Sequence, residues 1–495
     1  MWSLDLAPQW SEGVVLARRR VLLYELNEVP WSVVDHYVSL RPASTLASLL
    51  QNGRCLTSRD DDPAELSPWR TWPTFHKSLY TADHNSYELG QDPSSFRGTN
   101  VWDVVAEAGL SVGLFGALQS WPARHLNENS FYVPDTFARD AKTEPAALRN
   151  FQRFNLKMTA ENSFSSDSPL NAREAIVAGL SLMRLGLSQR SAATIAAHLL
   201  REQVDGRHKG ARSMMQALPS FDLFWRLFKQ YQPSLSVFFT NHVAAMMHRF
   251  WGDAMPSYAQ TFEYQPDPVF ATFLTRALDI ADAQLARLVA QTRRDPSLVL
   301  LVAASMGQDA IPAESLEGAL LYLEDGARLL AGLGLSSLGG RPRLAMHPMC
   351  GIDFDDTAAA SKAAAALRCV LFVDGGGPVF EDVELHGRAV TFRTSYRSLG
   401  SAHPSVVVEG QVRPVPCTFL GLSARPRLGG SNTAYHVPEG ILIAAGSAVT
   451  PSPARAVVNI LDIAPTILHE ILHLAVPNDM VGKPDPAIFE LRGAS

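Results

Sequence analysis

His436-Val-Pro-Glu-Gly440-Ile-Leu-Ile-Ala-Ala-Gly446, followed by Val458-Asn-Ile-Leu-Asp-Ile-Ala-Pro465-Thr466-Ile-Leu, decides how the chain is read. Gly440 to Ala445 is an uncharged apolar run between glycines, the pattern of a strand covered on both faces. A histidine stands just ahead of it. Similar runs recur upstream at Val21-Leu-Leu-Tyr-Glu-Leu26, Leu235-Ser-Val-Phe-Phe-Thr240 and Leu298-Val-Leu-Leu-Val-Ala303. Helical spacing separates them: Val33 to Leu50, Val101 to Ala108 (stopped by Gly109, with Val112-Gly-Leu-Phe115 as the next strand), and Pro268 to Gln291. This rhythm predicts an α/β fold, a parallel sheet flanked by helices, forming a single domain over residues 1–495.

Two stretches interrupt the rhythm. Residues 130–230 are rich in alanine, leucine, arginine and serine, with helical spacing from Ala175 to Leu200, and are expected to form a helical insertion or cap. Residues 340–430 carry short strands punctuated by Gly375-Gly-Gly377, His386-Gly387 and several prolines, which predicts a β-rich insertion. No internal repeat is evident.

Bulk properties exclude several classes. The 495 residues are 46% hydrophobic and 19% charged, with a net charge of −6, an ordinary globular composition. No basic stripe points to nucleic acid, and no apolar run is long enough for a membrane span or a signal peptide. Cys55, Cys350, Cys369 and Cys417 are too scattered for a disulfide framework or a zinc site. A cytoplasmic protein with reduced thiols is expected. Arginine far outnumbers lysine, a pattern of GC-rich bacterial coding.

Four further segments carry chemistry. Asn27-Glu28 ends the first strand. Ser67-Pro-Trp-Arg70-Thr71-Trp-Pro-Thr74 puts a hydroxyl where Thr71 is expected to open a helix, and free N–H groups there favour an anion. Phe239-Thr-Asn241-His242-Val-Ala244-Ala-Met-Met-His248-Arg249-Phe-Trp251 follows the second run. Ala304-Ser305-Met306-Gly307-Gln308 follows the third. In this order, with the run from His436, they resemble the alkaline phosphatase superfamily in its type I phosphodiesterase/nucleotide pyrophosphatase and phosphoglycerate mutase branch. The resemblance spans nearly the whole chain in outline.

It implies in-line displacement at phosphorus or sulfur by Thr71, with two divalent ions held by aspartates and histidines. It also implies that His436 is the last ligand and that Asp462 to Thr466 belongs to a closing helix. His248, Arg249 and Trp251 match the third motif. The chain departs from the family where ions are held: Asn27, Ala244 and Ser305 stand at aspartate positions, and Met306 at a histidine position. Neutral side chains leave two ions without compensating charge, at a cost of several kcal/mol each. Thioether sulfur is a poor ligand for zinc or magnesium. The usual two-metal centre is thus expected to be absent, leaving no metal or one divalent ion on Asn27, Glu28 and His436.

The expected site has Thr71, His248 and His436 as catalytic groups. Asn27, Glu28, Arg70, Asn241, His242, Arg249, Ser305 and Gln308 are expected to bind the substrate, a small phosphorylated, sulfated or carboxylated metabolite. The resulting expectation is a phosphoester- or sulfoester-type hydrolase or transferase with a metal-poor site centred on Thr71. Two other readings use the same crevice: metal-free acid–base chemistry on an anionic metabolite, or a non-catalytic relative that binds a ligand or partner.

Overall fold

The structure, a computed structural model, describes residues 19–164, 179, 181–313, 319–343, 345, 347–373, 375, 377–395, 399, 403–426 and 430–492. The apolar runs become the middle of one sheet. Its first six strands are β1 (Arg20–Leu26), β2 (Arg54–Arg59), β3 (Val112–Phe115), β4 (Phe131–Val133), β5 (Leu235–Thr240) and β6 (Leu298–Ala303). Along β1 the pleat sends Leu22, Tyr24 and Leu26 into one core and Val21 and Leu23 into another. A strand buried on both faces needs apolar residues at every position, which is why these runs show no alternation.

After β6 the chain leaves through β7 (Gly307–Ala310) and enters the insertion. There β8 (Ala319–Leu323) precedes β9 (Arg341–Arg343), β10 (Met349–Asp353), β11 (Leu371–Phe372), β12 (Phe380–His386), β13 (Ala389–Thr394), β14 (Ser405–Val407) and β15 (Val415–Pro416). β16 (Leu422–Pro426) pairs back onto β8. The chain returns as β17 (Ala434–Val437), β18 (Glu439–Ala445) and β19 (Ser452–Asn459). The main sheet runs β19-β2-β18-β6-β1-β5-β3-β4, and the insertion has its own sheet, β12-β13-β10-β9, with its own core.

Three expectations change. The run at Gly440 to Ala445 does enter the main sheet, but β18 is antiparallel to both β6 and β2. The insertion dictates this direction. β17 pairs antiparallel with β7 at the end where β7 left, so the chain re-enters from the carboxyl ends of its neighbours. At the crossing, a Cβ on Gly307 would lie 2.1 Å from Glu439 O, so only glycine fits. Second, the segment expected as a helical insertion from residue 130 begins with β4, which extends the main sheet. Helices Arg149–Phe164, Gln189–Val204 and Ala217–Tyr231 follow, while part of the stretch from Ala175 lies outside the described residues. Third, the β-rich insertion contains a helix, Thr357–Arg368, whose alanines pack into the insertion core.

Three helices lie near the amino terminus, α1 (Trp31–Leu40), α2 (Thr45–Asn52) and α3 (Pro68–Lys77), and α3 carries Thr71. The spacing from Val33 to Leu50 is split into α1 and α2 at Arg41-Pro42, because proline disfavours helix in the residue before it. Among the described residues, no helix is long and apolar enough to cross a membrane.

Candidate functional site

Strand register brings the first group together. β1 pairs with β5 as Leu26↔Thr240 and with β6 as Glu25↔Ala303, so Asn27, Asn241 and Ser305 emerge side by side at the carboxyl ends. Asn27 Nδ2 donates to Asn241 Oδ1 and to Glu28 Oε1, both at 2.7 Å. Its Oδ1 accepts from Trp72 Nε1 at 2.8 Å. An amide can donate on one side and accept on the other, which an aspartate cannot do.

α3 lies across these strand ends. Its cap is Ser67, with Pro68 in the first turn, where a missing N–H costs nothing. Thr71 is therefore one turn inside the helix rather than at its start, and its N–H already donates to Ser67 O at 2.9 Å. The free amides expected to meet an anion at Thr71 are not there. Its hydroxyl instead meets Ser305 Oγ at 2.7 Å, with both residues buried. Pro73 cannot bond the carbonyl of Trp69, and Ser86 Oγ takes that acceptor at 3.1 Å.

The second group centres on Glu28, whose backbone sits in the left-handed region at φ 60°. Its Oε2 accepts from Gln308 Nε2 at 2.5 Å and lies 2.9 Å from His248 Nε2 and 3.4 Å from His436 Nε2. The Gln308 contact follows from the β7–β17 pairing, in which Gln308 faces His436. Both imidazoles are turned by backbone carbonyls. His436 Nδ1 bonds Leu66 O at 2.8 Å, and His248 Nδ1 bonds Ala434 O at 3.2 Å. A carbonyl only accepts, so each Nδ1 carries the proton and each Nε2 is left facing the carboxylate. In neutral imidazoles these would be lone pairs aimed at a negative oxygen. The arrangement thus calls for positive charge, either protons on Nε2 or a cation between the groups. Ligand atoms of the three residues lie within 4.8 Å of one another, which suits one metal ion.

Electrostatics agree with that geometry. Burial by itself would raise the Glu28 carboxyl, but His436 and His248 outweigh it and hold it well below the usual range. Burial would lower His436, yet Glu28 leaves it above its ordinary value. Tyr435 stacks on His436 with ring centres 4.4 Å apart and is about half exposed, forming the outer wall.

Three of the expected residues sit elsewhere. His242 is buried between Thr240 Oγ1 (2.7 Å) and Ala277 O (3.0 Å), and burial lowers it to about 4. One step into its helix, it turns towards the helix Ala271–Arg294 and serves packing. Arg249 donates to Gly210 O at 2.8 Å and covers the Phe250 ring. Arg70 donates to Tyr87 O at 3.1 Å and faces Glu65 and Glu88. Sequence reading also missed a sealed pair, Glu25 Oε1 and His76 Nε2, 2.5 Å apart. Its signals were present, since Glu25 shares a pleat face with Leu23 and His76 lies one turn beyond Trp72 on α3.

No family model matches this chain, and neither does any curated protein. Solved structures do. Murine ectonucleotide pyrophosphatase/phosphodiesterase 5, an inactive form in complex with AMP, is 10% identical, covering 93% of this chain and 96% of its own, with a TM-score of 0.39. Wild-type alkaline phosphatase PafA is 12% identical over 95% and 99% of the two chains, with a TM-score of 0.45. The human ectonucleotide pyrophosphatase/phosphodiesterase 5 is 10% identical over 96% and 100%, with a TM-score of 0.40.

Proposed function

We propose that this chain is a phosphoester- or sulfoester-type hydrolase or transferase acting on a small anionic substrate at the carboxyl ends of β1, β5 and β6. Thr71 supplies the attacking oxygen, and one divalent ion is held by Glu28, His248 and His436. The observation that carries this reading is the convergence of one carboxylate and two imidazole Nε2 atoms within 4.8 Å, with each Nδ1 proton already committed to a carbonyl. Carboxylate and imidazole donors fit zinc-like ions. The two-ion set of the resembled family does not fit, because Asn27, Ser305 and Met306 offer neither carboxylate nor imidazole.

When bound, the ion would supply Lewis-acid stabilisation of charge on a phosphoryl or sulfuryl oxygen. The chain's own residues do the rest. Ser305 fixes the Thr71 hydroxyl by a 2.7 Å hydrogen bond. Asn27 and Gln308 hold the Glu28 carboxylate from both sides. Leu66, just ahead of α3, anchors His436, so the helix of Thr71 and the Glu28 cluster share one wall.

A second reading draws on the 2.9 Å contact between His248 and Glu28, a hydrogen-bond distance for a protonated ring. Here the cluster carries protons in place of an ion and performs acid–base chemistry on the same class of substrate. Metal analysis of protein purified without chelator separates the two. About one zinc or manganese ion per chain is expected, lost in Glu28→Ala. A panel of phosphomonoesters, diesters and sulfate esters should be turned over by the parent chain and not by Thr71→Ala. Hydrolysis that survives Thr71→Ala overturns the nucleophile, and two ions per chain overturn the single-ion centre. Ion-free protein that still acts through His248 and His436 supports the second reading.

A further inference from the structure

Hydrogen-bond directions at the strand ends can be assigned atom by atom, because two neighbours of Asn27 have no choice. The Trp72 indole only donates, and the Glu28 carboxylate only accepts. Asn27 Oδ1 therefore takes the Trp72 bond at 2.8 Å, and Asn27 Nδ2 gives both of its hydrogens, to Glu28 Oε1 and to Asn241 Oδ1, each at 2.7 Å. Asn27 is 1% exposed and bonded on both sides, so its orientation passes on to Asn241. The Asn241 oxygen is held inward, and its Nδ2 is left pointing the other way.

That amide has N–H groups to spare. Asn241 stands at the cap of the helix His242–Ala254, where an asparagine ordinarily turns its side chain onto the first amides. Here no such bond forms, since Oδ1 is spent on Asn27. Asn241 Nδ2 makes no hydrogen bond among the described residues, and the residue is partly exposed. The other donors around it are committed. Gln308 Nε2 gives to Glu28 Oε2 and Ala244 O, and the Thr71 and Ser305 hydroxyls share one bond. Arg70 and Arg249 hold the carbonyls of Tyr87 and Gly210. Because Asn27 Nδ2 links Asn241 to Glu28, the free amide belongs to a group no more than two hydrogen bonds from the carboxylate of the cluster.

We propose that Asn241 is a catalytic residue whose Nδ2 donates to an oxygen of the transferring phosphoryl or sulfuryl group. The assignment rests on the ester-transfer reading above and adds an oriented neutral donor to the charge of the Glu28 cluster. An amide fixed before substrate arrives needs no reorganisation as negative charge builds on that oxygen. Its effect therefore falls on kcat more than on KM.

The test uses the full chain, the ester it turns over best, and orthovanadate as a probe that mimics the transferring group. Asn241→Ala should lower kcat at least about tenfold with little change in KM. Asn241→Asp keeps the acceptor for Asn27 and replaces the donor with a lone pair, so it should fold and lose as much or more. Both should weaken saturable vanadate binding in calorimetry about tenfold, with zinc content per chain unchanged. Parent kcat and parent vanadate binding in both variants, beside an inactive Thr71→Ala, overturn the role of Asn241 and leave the nucleophile standing. Hydrolysis that survives Thr71→Ala, or no turnover of any ester, overturns the ester-transfer reading instead. Vanadate binding then decides Asn241 alone: weakened binding in the variants keeps it as the anion donor, and unchanged or absent binding removes it. A second zinc ion in Asn241→Asp with activity kept would make the position an ion ligand and overturn the donor as well.

Discussion

Glu25 and Glu28 lie three residues apart at the end of one strand, and each meets histidine, yet their surroundings make them different devices. Glu25 and His76 are both fully buried, with the His76 ring 4.7 Å from Trp102 and 5.5 Å from Trp72. One carboxylate oxygen and one ring nitrogen of that pair, Glu25 Oε2 and His76 Nδ1, have no partner among the described residues. Glu28 has both oxygens engaged, both of its histidines anchored by carbonyls, and an opening towards solvent through His248, whose side chain is 28% exposed. The pleat holds Glu25 on the α3 face, whereas the left-handed turn at Glu28 carries its side chain towards His248 and His436. What separates a sealed pair from a site is access and converging lone pairs. Residue type alone does not.

The sharpest way to break this contrast is Glu25→Ala. Removing one partner of a buried pair should cost about 3–5 kcal/mol, read by urea unfolding. Ester hydrolysis per folded molecule should stay near the parent value. Activity lost without lost stability would mean that the sealed pair serves the reaction after all.

Asn27→Asp probes the boundary between the two groups. It deletes the donor to Glu28 and Asn241 and sets two carboxylates side by side. In chelator this should destabilise by about 1–3 kcal/mol, and added zinc should narrow the gap. A stability gap that zinc leaves unchanged would separate Asn27 from the Glu28 cluster it is bonded to.

The smallest effect is a pH profile of unfolding in chelator. Glu28 is held below its ordinary 4.5, so its contribution is present above about pH 4.5 and is lost as pH falls through the folded value. His436 is raised above 6.5, so its contribution is complete below about pH 6.5 and is lost as pH rises through the folded value. The cluster therefore adds most stability between those limits. Glu28→Gln should flatten the profile on both sides, and an unaltered profile would disconnect Glu28 from His436.

Much of the architecture was legible because a doubly covered strand must be apolar throughout, and Val21 to Leu26, Leu235 to Thr240 and Leu298 to Ala303 satisfy that rule. Strand direction was not legible. Gly440 to Ala445 would read the same in either sense, and only the distant β7–β17 pairing sets it. In the site, strand register brings Asn27, Asn241 and Ser305 side by side, and Glu28 and His436, at strand ends, meet His248, which reaches them from the middle of its helix. Helical residues fared worse. His242, Arg249 and Arg70 each sit beside a correct neighbour, but a helix turns successive side chains by about 100°, so adjacency in sequence says little about facing. Thr71 was displaced for a related reason, since the capping Ser67 and Pro68 start α3 a turn early.

The positive φ at Glu28 has a consequence for how this chain can vary. Glycine is at ease there, whereas a residue with a Cβ gives up roughly 1–2 kcal/mol to hold the left-handed form. Glu28→Gly should therefore release that backbone strain and at the same time lose the larger contribution of a buried carboxylate held between His248 and His436. At Glu28 backbone strain and side-chain pairing therefore pull in opposite directions, and the pairing with His248 and His436 is what holds the left-handed turn on a residue with a Cβ.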